Sequence, residues 1–473
     1  MFKVTFFGAA QEVTGSMHLV EADGVLIALD CGLFQGRREE TEQKNRRFPV
    51  GADKIHAVVL SHAHVDHCGR LPLLVKQGFS GPIYSTAATR DLAALLMADS
   101  AHIQLEDAKY INKKHLKNGQ PPVEPLYSDQ DAAAALKLFH TVEQEQVFAL
   151  TERLSARYYQ TGHMLGACMV ELQFQPDQES HGRDARATSL VFSGDVGRAH
   201  LPILEDPHPF PVCDYIICES TYGGRLHPPA TDLEARLGQV VNDTIAREGK
   251  VIIPAFSVGR TQVVVYALHR LIVAGKIPAL PIFVDSPLAV NATEVFRLHP
   301  ELFDEEAREF LRATGDILGT ESCTYIRDVE ESKRLNTRKA PCVIISASGM
   351  CETGRIVHHL ANNIESPKNT ILIVGFQAQH TLGRRLVEKQ PHVLIFGKQM
   401  KLRADVVVLN GFSGHADAKE LRASLSPLAA TCKTAFLVHG EMDQMTALRG
   451  TMLGDGFKQV EMPAPGSEFV LAG

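Results

Sequence analysis

Ser61-His62-Ala63-His64-Val65-Asp66-His67 follows the apolar run Ala57-Val58-Val59-Leu60 and sets three imidazoles and one carboxylate within six residues. Residues two apart on an extended chain project to the same side, so His62 and His64 can share one ion. Once the chain turns, Asp66 and His67 can face a second. Imidazole and carboxylate donors suit zinc, with bonds of ~2.0–2.2 Å. Two such ions ~3.5–4 Å apart can hold an attacking and a phosphoryl oxygen together. A solvated loop gains nothing from crowding these side chains, so the stretch reads as a metal site.

Outward from this loop the chain is rich in short strands. Candidates cover residues 3–8, 18–22, 25–30, 56–60, 156–161, 168–174 and 189–192, bounded by Gly, Asp or Pro. Helices are expected over 89–99, from the spacing of Leu92, Leu95 and Leu96, and over 129–139. Residues 175–188 read as a polar hairpin loop. From about residue 213 the pattern changes to a strand, then a Gly- or Ser-bearing turn, then a helix. Pro254-Ala255-Phe256-Ser257-Val258-Gly259-Arg260-Thr261-Gln262 and Ser346-Ala347-Ser348-Gly349-Met350 lie in two such units. This alternation predicts a parallel α/β sheet, with ligands at the carboxyl ends of its strands. Short strands return from about residue 397. The expected organisation is one discontinuous domain, 1–212 and 396–473, interrupted by an inserted domain, 213–395.

The chain has 473 residues, 45% hydrophobic and 22% charged, which is ordinary for a soluble globular protein large enough to bury a substantial core. No run of ~18 apolar residues could span a bilayer, and the N-terminus lacks the apolar core and cleavage site of a signal peptide. Nine Cys at irregular spacings, an odd number, indicate reduced thiols and a cytoplasmic location. The net charge of −7 counts mildly against a nucleic-acid partner, but the field of a local cleft outweighs the whole-chain sum.

The HxHxDH string resembles the signature of the metallo-β-lactamase superfamily. That resemblance implies an αββα sandwich and further ligands: His163 in Thr161-Gly162-His163, and Asp195 in Ser193-Gly194-Asp195 as a bridge. Asp30 resembles the family's early acidic motif, whose role is to orient the metal loop by a hydrogen bond. Glu219 in Cys218-Glu219-Ser220, His415 in Gly414-His415-Ala416-Asp417 and His439 in Val438-His439-Gly440 resemble motifs of the β-CASP subgroup, which cleaves nucleic acids. The resemblance covers essentially the whole chain. It points to bacterial RNA-cleaving relatives of the eukaryotic cleavage and polyadenylation specificity factor endonuclease subunit.

The resemblance implies two Zn²⁺ per chain, one on His62, His64, His163 and Asp195, the other on Asp66, His67, Asp195 and His439. The catalytic residues are then Asp66, His415 and Glu219. Hydroxide attack at phosphorus, with His415 as acid held by Glu219, would leave a 5′-phosphate and a 3′-hydroxyl. The plainer alternatives are a strand-end carboxylate capping the next turn for Glu219 and a helix-start residue for His415. Arg260, Arg355 and Arg384, each in a Gly-Arg turn before a helix, are phosphate candidates. Ser257, Ser346, Ser348 and Gly349 join them.

The expected activity is endonucleolytic hydrolysis of single-stranded RNA, with 5′-exonuclease action as an accompaniment. A slot between domains would admit one strand more easily than a duplex. Relatives of this kind commonly pair through the metal domain, so a homodimer is among the expected partners; a membrane is not. The rivals are a hydrolase acting on DNA or a small ester, and a non-catalytic RNA-binding scaffold.

Overall fold

The computed structural model describes residues 2–36, 38–176, 186–227, 232–319 and 323–471. They fall into two compact units, one of residues 1–199, 207–226 and 415–473, the other of residues 200–206 and 227–414.

The first unit is built on two seven-stranded sheets. One contains β1 (Phe2–Gly8), β2 (Met17–Ala22), β3 (Val25–Leu29), β4 (Ile55–Val59), β5 (Ile83–Ser85), β6 (Phe139–Thr141) and β22 (Glu468–Val470), in the order 22-1-2-3-4-5-6. The other contains β7 (Val147–Ala149), β8 (Leu154–Gln160), β9 (Cys168–Phe174), β10 (Thr188–Phe192), β11 (Tyr215–Glu219), β20 (Thr434–Val438) and β21 (Val460–Glu461), in the order 21-20-11-10-9-8-7. Period-two alternation explains how the sheets face each other. Val4, Phe6, Ile27 and Val59 of one sheet share a core with Tyr158, Val170, Phe192 and Ile217 of the other. The alternate residues Val191, Ile216 and Leu437 pack instead against Leu421, Leu425, Met445 and Leu448 of the C-terminal helices. Helix Ala87–Lys117 starts on Thr86, whose side chain accepts from the Thr89 N–H.

The second unit is a six-stranded parallel sheet of β12 (Lys250–Pro254), β13 (Ile282–Val284), β14 (Cys323–Tyr325), β15 (Cys342–Ser346), β16 (Thr370–Ile373) and β19 (Asp405–Val408), in the order 14-13-15-12-16-19. β12, β15 and β16 are buried throughout, as continuous apolar strands covered on both faces should be. A hairpin of β17 (His392–Ile395) and β18 (Lys398–Lys401) stands apart from that sheet.

The domain boundaries differ from those expected at 212/213 and 395/396. β11 lies in the first unit because it pairs in parallel with both β10 and β20. β19 lies in the second because it pairs with β16. Helix Ala87–Lys117 runs well past the expected residue 99, and the helix expected over 129–139 ends at Leu136. Part of the expected 175–188 loop, residues 177–185, lies outside the described residues. All nine cysteines are buried as free thiols. Among the described residues no helix is long and apolar enough to cross a membrane.

One buried polar cluster fastens the second unit. Asp285, just after β13, accepts from Arg355 Nη1 at 2.6 Å and lies 2.6 Å from His359 Nε2, while Ser332 Oγ donates to the same carboxylate. Burial disfavours its charge, but the bonds from His359, Ser332 and Arg355 outweigh that and lower its pKa. Removing one partner of such a cluster leaves buried charge uncompensated. Asp285→Ala is therefore expected to lower the unfolding free energy by about 3–5 kcal/mol, read by denaturant unfolding of the full chain. With a depressed pKa, the Asp285 contribution is complete above about pH 4 and is lost as pH falls through the native pKa. The gap between wild type and variant should accordingly narrow in acid.

Candidate metal centre

Three neighbouring parallel strands deliver Asp195, Glu219 and His439. In β10, β11 and β20, Phe192 is level with Ile217, and Glu219 with Val438. The residues just past these strand ends therefore emerge side by side: Asp195 after β10, Glu219 at the end of β11, His439 after β20. His163 follows β8, and the loop from Ser61 to His67 follows β4 in the opposing sheet. Three of these turns use left-handed backbone, the one before His163 at Gly162, with φ +66°. Gly194 has φ +53°, and a Cβ there would meet Ser61 Cβ at 2.8 Å. His439 itself has φ +52°, unusual for a residue with a side chain and typical of strained functional positions.

The donors gather into two sets, His62, His64, His163 and Asp195 in one and Asp66, His67 and His439 in the other, and a third group of Asp195, Glu219 and His415 adjoins them. In the first, His64 Nδ1 lies 3.1 Å from both His62 Nε2 and His163 Nε2. Asp195 Oδ2 is 3.4 Å from His62 Nε2 and from His163 Nε2. In the second, His67 Nε2 and His439 Nε2 are 3.1 Å apart, and His439 Nε2 is 3.4 Å from Asp66 Oδ2. Asp195 Oδ1 is 3.4 Å from His67 Nε2. That oxygen is buried without a hydrogen-bond partner, which is costly unless something else satisfies it. Donors sharing a four-coordinate ion with bonds of ~2.0–2.1 Å lie roughly 3.3 Å apart. The residues thus suit cation binding, and Asp195 stands beside both sets, with Oδ2 in the first and Oδ1 near His67 of the second.

The electrostatics of the first set agree. Burial lowers the pKa of His62 and His163, and that of His64 to about 3, which favours the neutral imidazole that binds metals. For His67 burial is outweighed by the carboxylates of Asp195 and Asp30, which raise it to about 10. Asp195 is held well below its ordinary range because His439, His67 and His62 outweigh its burial.

Outer partners fix the donors. Asp30, fully buried, accepts from the Ser61 N–H at 2.8 Å, from Ser61 Oγ at 2.9 Å and from Ser16 Oγ at 3.1 Å. Its Oδ2 is 2.7 Å from His67 Nδ1, so His67 presents Nε2 to the site. Thr221 Oγ1 does the same for His439, 3.2 Å from its Nδ1, and Ser61 Oγ lies 3.0 Å from His62 Nδ1. Sequence gives little sign of Ser61, Ser16 and Thr221, beyond Ser61 adjoining His62 and Thr221 standing two residues after Glu219.

Beside the donors, His415 Nδ1 lies 3.2 Å from Glu219 Oε1, and its Nε2 is 4.0 Å from Asp195 Oδ2. Burial opposes a charge on His415, but Glu219 and Asp195 outweigh it and raise its pKa to about 9. The Val196 N–H also donates to Glu219 Oε1, at 2.7 Å, and the Thr221 N–H to Oε2, at 3.2 Å.

The phosphate candidates all lie in the second unit. Arg260 opens helix Arg260–Val273 after Gly259, and its Nη1 donates to the Val374 carbonyl. Ser257 pairs with Ser286, Ser346 donates to the Asp285 carbonyl, and Ser348 to the Thr353 carbonyl. Gly349 lies under the Phe256 ring. Arg355 is taken up by Asp285 and the carbonyls of Ile326 and Arg327, so it braces the fold. Arg384 sits inside helix Leu382–Val387, not in a turn before it, because Thr381 is the cap; it pairs with Glu388.

Sandwich and donor sets together define a metal-dependent hydrolase. Three family patterns match in succession: the metallo-beta-lactamase superfamily domain over residues 19–179, the Beta-Casp domain over 261–386, and the Zn-dependent metallo-hydrolase RNA specificity domain over 399–463. The chain is 36% identical over 448 residues to "Ribonuclease TTHA0252" of Thermus thermophilus, covering 94% of this chain and 95% of that one. It is 31% identical to "Transcription termination factor FttA" of Methanosarcina mazei, covering 93% of this chain and 67% of that protein. A crystal structure of a protein of unknown function from Enterococcus faecalis shares the fold, with a TM-score of 0.54, 15% identity and coverage of 99% and 100%. The chain belongs to the metallo-β-lactamase superfamily, in its β-CASP subgroup.

Asp30→Asn would keep the shape but weaken the hold on His67. A loss of about 10–100-fold in metal affinity is expected, measured by competition with a chromophoric chelator; unchanged affinity would contradict the orienting role.

Proposed function

We propose that this protein is a two-zinc endoribonuclease that hydrolyses phosphodiester bonds of single-stranded RNA, with 5′-exonuclease action as a second mode. One observation carries the reading: two donor sets joined by Asp195, with the His415–Glu219 pair directly beside them. The match to an RNA specificity domain and the names of the relatives support RNA as the substrate class. The nitrogen-rich donors suit zinc. His62, His64, His163 and Asp195 would hold one ion, and Asp66, His67, Asp195 and His439 the other.

Bound there, the cations would supply a nucleophile at neutral pH and offset charge on the phosphodiester. The two metal-binding aspartates leave about +2 from two Zn²⁺, a field suited to an anionic backbone. The chain's own residues do the rest. Asp30 and Thr221 fix the imidazoles of His67 and His439. Glu219 holds His415 by Nδ1, leaving Nε2 to give a proton to the departing 3′ oxygen. The products are a 5′-phosphate and a 3′-hydroxyl. Five of the seven donors are buried, with His64 and Asp66 half-buried, so a flexible single strand reaches them more readily than a stiff duplex. Arg260, with Ser257, Ser346, Ser348 and Gly349, is the proposed phosphate-binding group at the carboxyl ends of the second unit's strands. A cytoplasmic location, supported by nine free thiols, and pairing of two chains through the metal domain complete the reading.

The test is incubation with 5′-labelled single-stranded RNA and DNA, with metal content measured in parallel. About two zinc per chain, RNA cleavage abolished by chelator and by Asp195→Ala, and 5′-phosphate ends are expected. His415→Ala should retain its metal and lose on the order of 10²–10⁴-fold in rate. A 2′,3′-cyclic phosphate product, preferred cleavage of DNA, or His415→Ala at the wild-type rate would each contradict the proposal.

A further inference from the structure

Arg198 is 5% exposed, three residues after Asp195, and has no part in the chemistry above. A buried guanidinium is costly unless it is paired. Its Nε lies 3.3 Å and 3.2 Å from the two oxygens of Glu420. Glu420 already has a task. Its Oε2 accepts from the Asp417 N–H at 2.8 Å, while Asp417 Oδ1 accepts from the N–H groups of Lys419 and Glu420, closing a capping box on helix Ala418–Leu425. A capping box is complete without an arginine, so pairing with Arg198 adds a second hold on Glu420 beyond the cap.

The cap stands two residues after His415. Between them the Ala416 N–H donates to the Val196 carbonyl at 2.8 Å. The Val196 N–H in turn donates to Glu219 Oε1, the atom that faces His415 Nδ1. The Asp195–Arg198 turn therefore grips the His415 segment at three points: through Val196 O, through Glu219, and through Arg198 on the helix cap. The same turn is anchored to the His163 loop, where the Gly197 N–H donates to the Thr161 carbonyl at 2.8 Å.

We propose that Arg198 and Glu420 are positioning residues: their ion pair sets the His415 imidazole relative to Asp195 and acts on catalysis only through His415. This rests on the reading of His415 as the proton donor. The bond between Arg198 and Glu420 fixes where the helix start, and with it His415, can stand. Sub-ångström to ångström displacement of a reacting group is enough for large rate losses.

The experiment is steady-state cleavage of 5′-labelled RNA by the zinc-loaded full chain, comparing Arg198→Met, Arg198→Lys and Glu420→Gln, each alone and combined with His415→Ala. Arg198→Met and Glu420→Gln should lower kcat on the order of 10–100-fold, with KM and zinc content at wild-type values. Arg198→Lys, which keeps the charge, should recover part of the rate. In the His415→Ala background, adding Arg198→Met or Glu420→Gln should change the rate by less than about two-fold, since residues acting as one unit are not additive. The proposal is overturned if the single variants retain the wild-type kcat, if they lose zinc, or if they cost the same factor with and without His415. Should Arg198→Met fail to fold, Glu420→Gln decides on the same criteria. His415→Ala at the wild-type rate would instead overturn the proton-donor reading, and the proposal with it.

Discussion

The first unit is organised around a burial that an apolar core cannot reward. His62, His67, His163, Asp195 and His439 are each at most 8% exposed, and they crowd at separations of 3.1–3.4 Å. Like imidazoles desolvated together repel protons, and a carboxylate oxygen left without a donor is costly. Cations at the two foci would satisfy both conditions. Much of the surrounding architecture serves that crowding: the level ends of β10, β11 and β20, the left-handed turns at Gly194 and His439, and the buried Asp30 behind His67.

What the chain revealed in sequence was local and chemical. The HxHxDH run marks itself because four ligand-type residues in six positions have no packing rationale. Asp195, Glu219, His415 and His439 were legible only beside it, each at a strand end or helix start. The outer partners were not legible, since a hydroxyl at Ser61 or Thr221 has no spacing that separates it from ordinary turn chemistry. Arg355 misled for the same reason: Gly-Arg before a helix suits a phosphate and suits a buried aspartate equally well, and Asp285 is 70 residues away in sequence.

The fold was legible to the level of grammar, and the errors lie at its boundaries. β11 reads Tyr-Ile-Ile-Cys-Glu and is buried throughout, as are β12 and β15. Apolar runs of this kind look alike in any doubly covered sheet, so only pairing assigns β11 to the sandwich and β19 to the inserted sheet. β5, β6, β7 and β14, each three residues long, are too short for period two to register. Helix Ala87–Lys117 outruns its apolar stripe because its second half is largely exposed, with Tyr110 and Leu116 open to solvent.

In the proposed reading one carboxylate, Asp195, joins two cation sites. Anomalous scattering at the zinc edge from crystals of the zinc-loaded protein tests it most directly. Two peaks are expected, one among His62, His64 and His163, the other among Asp66, His67 and His439, with a different oxygen of Asp195 bonded to each. A single peak, or two that leave Asp195 uncoordinated, would contradict the account.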